Sequence, residues 1–472
     1  MTTSPSPPCH LTYEHPFALK ANAIIRAALA RRDEKVVVVD DDPTGTQAFR
    51  DIPVHFEWSV ETLAAALRSD EAAGFFLTTN SRGLPEAEAI RINRAIGTNL
   101  RAVETLTGRR CHLVSRSDST LRGHFPAELV ALVFGYRVAF HGVLVAPFFH
   151  EGGRVTRENT HYIRKSDADV PVAETEFARD PVFPYATSHL PDWIEEKSKG
   201  DIRADDVQRL SLACIRTGGP EAVAAALRAM PAGSYCVINA ETPIDMTIAT
   251  AGAVLAERSG RRFIWRSAAS AAQARLAQTA VPLVLDAAEL QGRSTDRGGL
   301  VIVGSHVQAT TRQLMRLLQQ RGDAVPIKID VDRLIGDERE HVILSSASDV
   351  DAAIEAGRIA VVYTSRDLAR AESDDAFLFQ GERITAGLSA IVRSLRETPA
   401  FVIAKGGITS HCIARDGLRL RTAWVRGALL PGVPVWRCPP DSRWPALDYV
   451  VFPGNVGADD ALFHAVQRLT RS

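Results

Sequence analysis

The chain has 472 residues, 46% of them hydrophobic, which is enough for sizeable cores and about two or three domains. Its formal net charge of −1 provides no field to steer nucleic acid or an anionic membrane, so an anionic ligand must be held by local arginines. Six scattered cysteines (Cys9, Cys111, Cys214, Cys236, Cys412 and Cys438) form no CxxC pair and no zinc spacing, and read as reduced thiols of a cytoplasmic protein.

The N-terminal MTTSPSPPCH is polar and proline-rich, without the apolar core of a signal peptide, and no run approaches the roughly 20 apolar residues of a membrane helix. A helix is expected over Ala18–Arg32. Next comes Val36–Gln47, VVVVDDDPTGTQ, in which a β-branched run suited to a buried strand ends in Asp40, Asp41 and Asp42 and is stopped by Pro43 and Gly45. Ligands of open α/β sheets bind beyond the carboxyl ends of strands, where these aspartates stand. A single Asp there would read as a turn cap; three repel one another unless a metal, a cationic partner or a proton offsets the charge. Further apolar runs at Phe75–Thr78, Cys111–Ser115, Val143–Ala146, Tyr235–Ile238 and Phe263–Trp265 alternate with helical stretches such as Val60–Arg68 and Glu86–Val103. That alternation is the mark of βαβ units and a largely parallel sheet. Residues 151–185 carry little periodicity and read as a long functional loop or an insertion.

Periodicity lapses between Pro282 and Gly299, the expected linker, with a hinge near Gly292–Gly299. Strands are expected again at Leu300–Gly304, Ile359–Thr364, Phe401–Ala404, Val433–Trp436 and Tyr449–Phe452. The fold class is α/β: two domains, 1–285 and 295–472, each with a largely parallel sheet flanked by helices, and an active site in the cleft between them.

Three strand ends of the first half bear related chemistry: the aspartates, Thr78–Gly83 with Arg82, and Ser115–Gly123 with Arg116 and Arg122. Carboxylates can deprotonate a hydroxyl or hold Mg²⁺, and arginine forks bind carboxylates bidentately, so the set describes a site for a small polyhydroxy acid. Surface ion pairs are the simpler reading for each arginine alone. His150 and Glu151 could form a metal pair, but no second histidine stands at helical spacing. The second half is glycine-rich at its strand ends: Gly304-Ser305, Lys405-Gly406-Gly407-Ile408-Thr409 and Pro453-Gly454-Asn455-Val456-Gly457. Backbone N–H groups at such turns can cradle phosphate, which makes nucleotide binding the leading idea. There is no Gly-Lys dipeptide for a Walker A loop, and GxGxxG, GxSxG and HExxH are all missing.

These motifs, in this order, resemble the four-carbon acid sugar kinases over nearly the whole chain. The resemblance rests on Asp41-Asp42-Pro43-Thr44-Gly45, Ser117-Asp118-Ser119-Thr120-Leu121-Arg122-Gly123, Gly304-Ser305, Gly406-Gly407-Ile408-Thr409 and Gly454-Asn455-Val456-Gly457. It implies ATP-dependent, Mg²⁺-assisted phosphorylation of the terminal hydroxyl of a threonate, an erythronate or an oxo-tetronate, with the acid on the N-terminal domain and ATP on the C-terminal one. The chain departs from the pattern at Arg116, where the family usually has lysine, and at Phe452-Pro453, where many members have Lys-Ser; this bears on substrate preference rather than reaction type. On this reading Asp42 or Asp41 is the hydroxyl-orienting base and Asp40 is structural. Arg82, Arg116, Asp118, Ser119 and Arg122 bind the acid, and Ser305, Gly406, Gly407, Ile408, Thr409 and Gly454 line the ATP site; metal ligands are unassigned. A homodimer is one assembly compatible with the chain. The alternatives are a metal-dependent hydrolase or lyase built on Asp40–Asp42 with His150 and Glu151, and a non-catalytic ligand-sensing protein.

Overall fold

The computed structural model describes residues 15–165, 168–279, 283–290, 296–365 and 374–470. It divides into two compact units, the first drawn from Met1–Asp41 and Trp58–Val281 and the second from Asp42–Glu57 and Pro282–Ser472.

In the first unit the strands run in the order Gly74–Thr78, Glu34–Asp40, Arg110–Arg116, Phe263–Ser267, Gly142–Ala146, Ser234–Ile238 and Gln208–Leu210, all parallel. Val36–Val39 are buried on both faces of this sheet, as a strand covered by helices on either side requires. Register sets Asp40 beside Thr78 on one side and Arg116 on the other, and Ser267 beside Arg116, so the strand ends share one rim. The helices start as the local sequence dictates: Ser59 caps Val60–Arg68, and Thr242 with Asp245 forms a capping box at Pro243–Arg258. Residues 151–185 are not a structureless loop. Arg154–Arg157, Thr160–Arg164 and Asp169–Pro171 make a small antiparallel sheet, followed by short 3₁₀ turns; residues 166 and 167 lie outside the described residues.

The second unit orders its strands Ala324–Ile329, Ile359–Thr364, Leu300–Val303, Phe401–Lys405, Asp448–Phe452, Val433–Arg437, Thr422–Leu430 and Ile52–His55. The first five are parallel and the last three join by antiparallel pairings. Ala324–Ile329 contains Pro326 and lies at the end of this order, where a residue without an N–H can sit. The stretch Asp42–Glu57 belongs here for concrete reasons. Ile52–His55 pairs with Thr422–Val425, Trp436 Nε1 donates to Thr46 Oγ1 at 2.9 Å, and Phe56 packs edge-on to Trp436 at 5.3 Å. Residues 291–295 of the expected linker and hinge lie outside the described residues.

Cys111, Cys214, Cys236, Cys412 and Cys438 are free thiols, the first, third and fifth buried; Cys9 lies outside the described residues. Among the described residues, no helix is long and apolar enough to cross a membrane.

Candidate active site

In the first unit the strand rim gathers charges that lock one another in place. Arg82 grips Asp41 with two bonds, Nη2 to Oδ1 at 2.5 Å and Nε to Oδ2 at 3.2 Å, and Ser117 Oγ donates to Asp41 Oδ2 at 2.7 Å. Asp41 is only 4% exposed. Gly123 follows in a conformation with φ +120°, and a Cβ there would stand 3.0 Å from Ser117 Oγ and 3.2 Å from Asp41 Oδ2, so the loop closes over this pair only because position 123 is glycine. Asp118 accepts from Arg122 Nε at 2.8 Å and from Thr120 Oγ1, and lies 3.9 Å from Arg82 Nη1. Burial opposes its ionisation, yet Arg82 and Arg122 hold its carboxyl well below the usual carboxylate range. Ser119 is buried in the same loop, its carbonyl taken by His161 Nε2 at 2.8 Å.

Arg116 takes a different place from Arg82 and Arg122. Its Nη1 pairs with Asp40 Oδ1 at 3.1 Å, and both side chains are buried, so this arginine neutralises the innermost aspartate of the rim. The 151–185 segment buttresses the arginine loop: Tyr185 Oη donates to the Thr120 carbonyl at 2.8 Å, Asp180 Oδ2 accepts from Arg122 Nη1 at 3.3 Å, and the Arg122 guanidinium lies 5.0 Å from the Phe177 ring centre.

Two residues that sequence reasoning missed belong to this cluster. Arg266, inside the apolar strand Phe263–Ser267, is buried, donates to the carbonyls of Asp118 and Arg122 at 3.3 Å each, and lies near the Trp193 and Phe125 rings at 5.6 and 5.9 Å. Burial lowers its pKa to about 10 against the pull of Asp41 and Asp118. Glu128, in the first turn of Ala127–Tyr136, accepts from Asn93 Nδ2 at 3.2 Å. Burial first and the Asp41 charge second push its pKa up to about 7, against a Ser81 hydrogen bond and the charges of Arg82 and Arg266. The signal available for Arg266 was a lone charge near the carboxyl end of an otherwise apolar strand.

The His150 backbone N–H donates to Ser270 Oγ at 3.1 Å, and Glu151 Oε1 accepts from Gln273 Nε2 at 3.1 Å. Among the described residues no group of three or more His, Cys, Asp or Glu side chains could hold a metal ion.

The second unit builds its cluster from backbone. Leu300–Val303, Phe401–Lys405 and Asp448–Phe452 are neighbouring parallel strands, so Ser305, Gly406 and Gly454 emerge side by side. Gly406 has φ +115°, and a Cβ on it would lie 3.0 Å from Ser305 Cβ and 3.2 Å from Thr409 Oγ1; one on Gly454 would lie 3.0 Å from Ser305 Oγ. Thr310 Oγ1 ties the loop down by donating to the Gly454 carbonyl at 2.8 Å. Ile408 is half exposed while Thr409 is buried. Asp42 also lies in this unit, capping the 3₁₀ turn Pro43–Ala48 by accepting from the Thr44 N–H at 2.8 Å and Thr44 Oγ1 at 2.7 Å. A Cβ on Gly407 would stand 3.5 Å from Asp42 Oδ1. The motif Asp41-Asp42 is thus divided: Asp41 belongs to the charged cluster and Asp42 to the glycine turn. His411 is buried with neither ring nitrogen hydrogen-bonded, and burial lowers its pKa to about 3, which keeps it neutral.

Two family models cover most of the chain, the first of them extending through Asp42–Glu57. Residues 36–275 match the family model of a sugar-binding N-terminal domain, and residues 300–462 that of a nucleotide-binding C-terminal domain. A D-threonate kinase of Salmonella typhimurium is 26% identical over 77% of this chain and 81% of its own length. One from Cupriavidus necator is 27% identical over 80% of this chain and 85% of its own. Among solved structures, a Salmonella typhimurium protein described as a putative tRNA synthase superposes with TM-score 0.65 at 17% identity, covering 93% of this chain and 99% of its own. A Haemophilus influenzae protein superposes with TM-score 0.61 at 16% identity over 92% of this chain and all of its own; these two likenesses concern the fold. With both halves matched and the motifs in place, the chain belongs to the four-carbon acid sugar kinase family.

Proposed function

We propose that this protein phosphorylates the terminal hydroxyl of a four-carbon sugar acid with ATP as donor, and that D-threonate, the acid named for its relatives, is the first substrate to test. The observation that carries the reading is the Asp41 cluster: a buried carboxylate held by Arg82 and Ser117 beside the Asp118–Arg122 pair, on the unit that matches a sugar-binding domain. Phosphoryl transfer asks a protein for positioning, charge neutralisation and a group that orients the attacking hydroxyl.

Asp41 is the group on the acid-binding unit suited to take the proton from the acceptor hydroxyl. Its two bonds to Arg82 fix its plane, so the carboxylate need not reorganise as the proton moves. Arg82 and Arg122 are the forks for the substrate carboxylate or the migrating phosphoryl group, with Asp118 and Ser119 shaping the loop between them. Arg116 serves at one remove, by neutralising Asp40.

ATP supplies the phosphoryl group and leaves as ADP. Ser305, Gly406, Gly407, Ile408, Thr409 and Gly454 would hold it, because they stand together at the ends of neighbouring parallel strands, where the two glycines let the turns pack closely against Ser305. Mg²⁺ would arrive on the phosphates, and Asp42, beside Gly407, is the carboxylate of this unit suited to face it. This assigns the two aspartates separate tasks, Asp41 to the acceptor and Asp42 to the donor.

The test is ADP release with Mg²⁺-ATP against threonate, erythronate and oxo-tetronate in each stereochemical form. Acid-dependent ADP release on one or a few of them is expected. No turnover on any four-carbon acid would overturn the assignment.

A further inference from the structure

Lys405 is the last residue of the strand Phe401–Lys405 and immediately precedes the Gly406-Gly407 turn. Its side chain is fully buried. The ammonium donates to the carbonyls of Pro453 at 2.5 Å and Gly454 at 3.3 Å, and lies 4.0 Å from the centre of the Phe452 ring. No carboxylate among the described residues contributes to its electrostatics, and burial alone lowers its pKa to about 7. A buried cation compensated only by two carbonyls and an aromatic face is expensive, and an apolar side chain of similar length would fill the same space at less cost.

Its position supplies a reason for the expense. The Gly406 N–H bonds to the Phe452 carbonyl at 2.8 Å, so the lysine's two carbonyl partners belong to the loop that continues directly from the strand facing the turn. The helix after the turn, Gly407–Cys412, runs on into a π-helical stretch, Ile413–Gly417, so its first turn adds a dipole beside the lysine but no formal charge. The ammonium lies between two glycine-bearing strand ends and is the formal positive charge closest in sequence to the Gly406-Gly407 turn.

We propose that Lys405 is a positioning residue of the nucleotide site: its ammonium draws the Pro453–Gly454 loop against the Gly406 turn and holds positive charge under the backbone that receives the polyphosphate of a nucleoside di- or triphosphate. This rests on the kinase reading above. A purely structural lysine would stabilise the unit without affecting how phosphate is bound.

The experiment measures ADP and adenosine affinity by calorimetry on the full chain and on Lys405→Met and Lys405→Gln, together with Tm and the KM values for acid and ATP. Methionine matches the stem without charge. Glutamine keeps a donor for the Pro453 carbonyl and covers the case in which methionine impairs folding. ADP binding at least tenfold weaker in a folded variant, with adenosine affinity and acid KM within about twofold of wild type, is the expected result. ADP affinity within twofold of wild type in either folded variant would overturn the proposal and leave the kinase reading standing. A wild-type chain that binds no ADP and turns over no acid would overturn both.

Discussion

The two strand-end clusters solve opposite problems. In the first unit, interlocked side chains do the work: Asp41 with Arg82 and Ser117, Asp118 with Arg122, Asp40 with Arg116, and Arg266 held by loop carbonyls. In the second, side chains are mostly removed, and Gly406 and Gly454 bring their backbone close against Ser305 and Thr409, with Lys405 buried beside them. A small acid bearing several hydroxyls offers few atoms, so discrimination requires a dense array of fixed donors and acceptors. A polyphosphate, on the proposed reading, is large, strongly charged and the same whichever acid is used, and would be held by backbone N–H groups together with the charge of Lys405. The first cluster therefore pays in desolvated charge and the second in backbone freedom.

Substitutions can break this comparison. The largest effect is expected at Asp41: Asp41→Asn should lower kcat by about 10²–10⁴ while ADP affinity stays unchanged, as read by steady-state kinetics and calorimetry. Equal losses in both would mean that the division between acid and nucleotide chemistry is wrong.

Glu128 tests the cost of burying charge in the first cluster. Its native pKa of about 7 lies above the ordinary glutamate value, so its stabilising contribution is complete below about pH 4.5 and is lost as pH rises through 7. Glu128→Gln, fixed in the neutral form, should gain stability over wild type as pH rises from 5 to 8, by roughly 2–3 kcal/mol. Denaturant melts at several pH values measure this, and a difference independent of pH would refute the account of Glu128.

The smallest effect belongs to the second cluster. Gly406→Ala, at φ +115° and against Ser305, should cost about 1–3 kcal/mol, visible as a lower Tm and weaker ADP binding with the acid KM unchanged. Wild-type ADP affinity in this variant would show that the close packing of this turn has no part in holding nucleotide.

Much of the fold was legible because buried parallel strands are written as short β-branched or apolar runs; Ile359–Thr364 and the helix Val60–Arg68 have the limits expected from sequence. Several strands that the sequence reading did not find have physical reasons for it. Ile52–His55 is four residues long and contains Pro53, and its partner Thr422–Val425 is far away in the chain, so nothing local shows that Asp42–Glu57 belongs with the second unit. Ala324–Ile329 is interrupted by Pro326 and half exposed, as an end strand can be. The small sheet within 151–185 has strands too short for their alternation to stand out.

The site divides in the same way. Asp41, Arg82, Asp118 and Arg122 were visible because charged residues crowd the ends of apolar runs. Arg266 and Lys405 sit within or at the end of such runs and looked like strand boundaries, because their partners are backbone carbonyls that no side-chain pattern encodes. Glu128 was hidden on a helix, where an acidic residue in the first turn is the ordinary finding. The separation of Asp41 from Asp42 could not be read at all, since adjacent residues in sequence give no hint that the chain passes from one unit to the other between them.

Transfer of phosphate to the terminal hydroxyl of a four-carbon acid is read directly from the phosphorus NMR spectrum of the product formed from Mg²⁺-ATP and the acid that best supports ADP release. Stoichiometric ADP and a new phosphate ester resonance split by the two methylene protons of the terminal carbon are expected of this transfer. Inorganic phosphate released with no ester, or an ester coupled to a single methine proton, would contradict it.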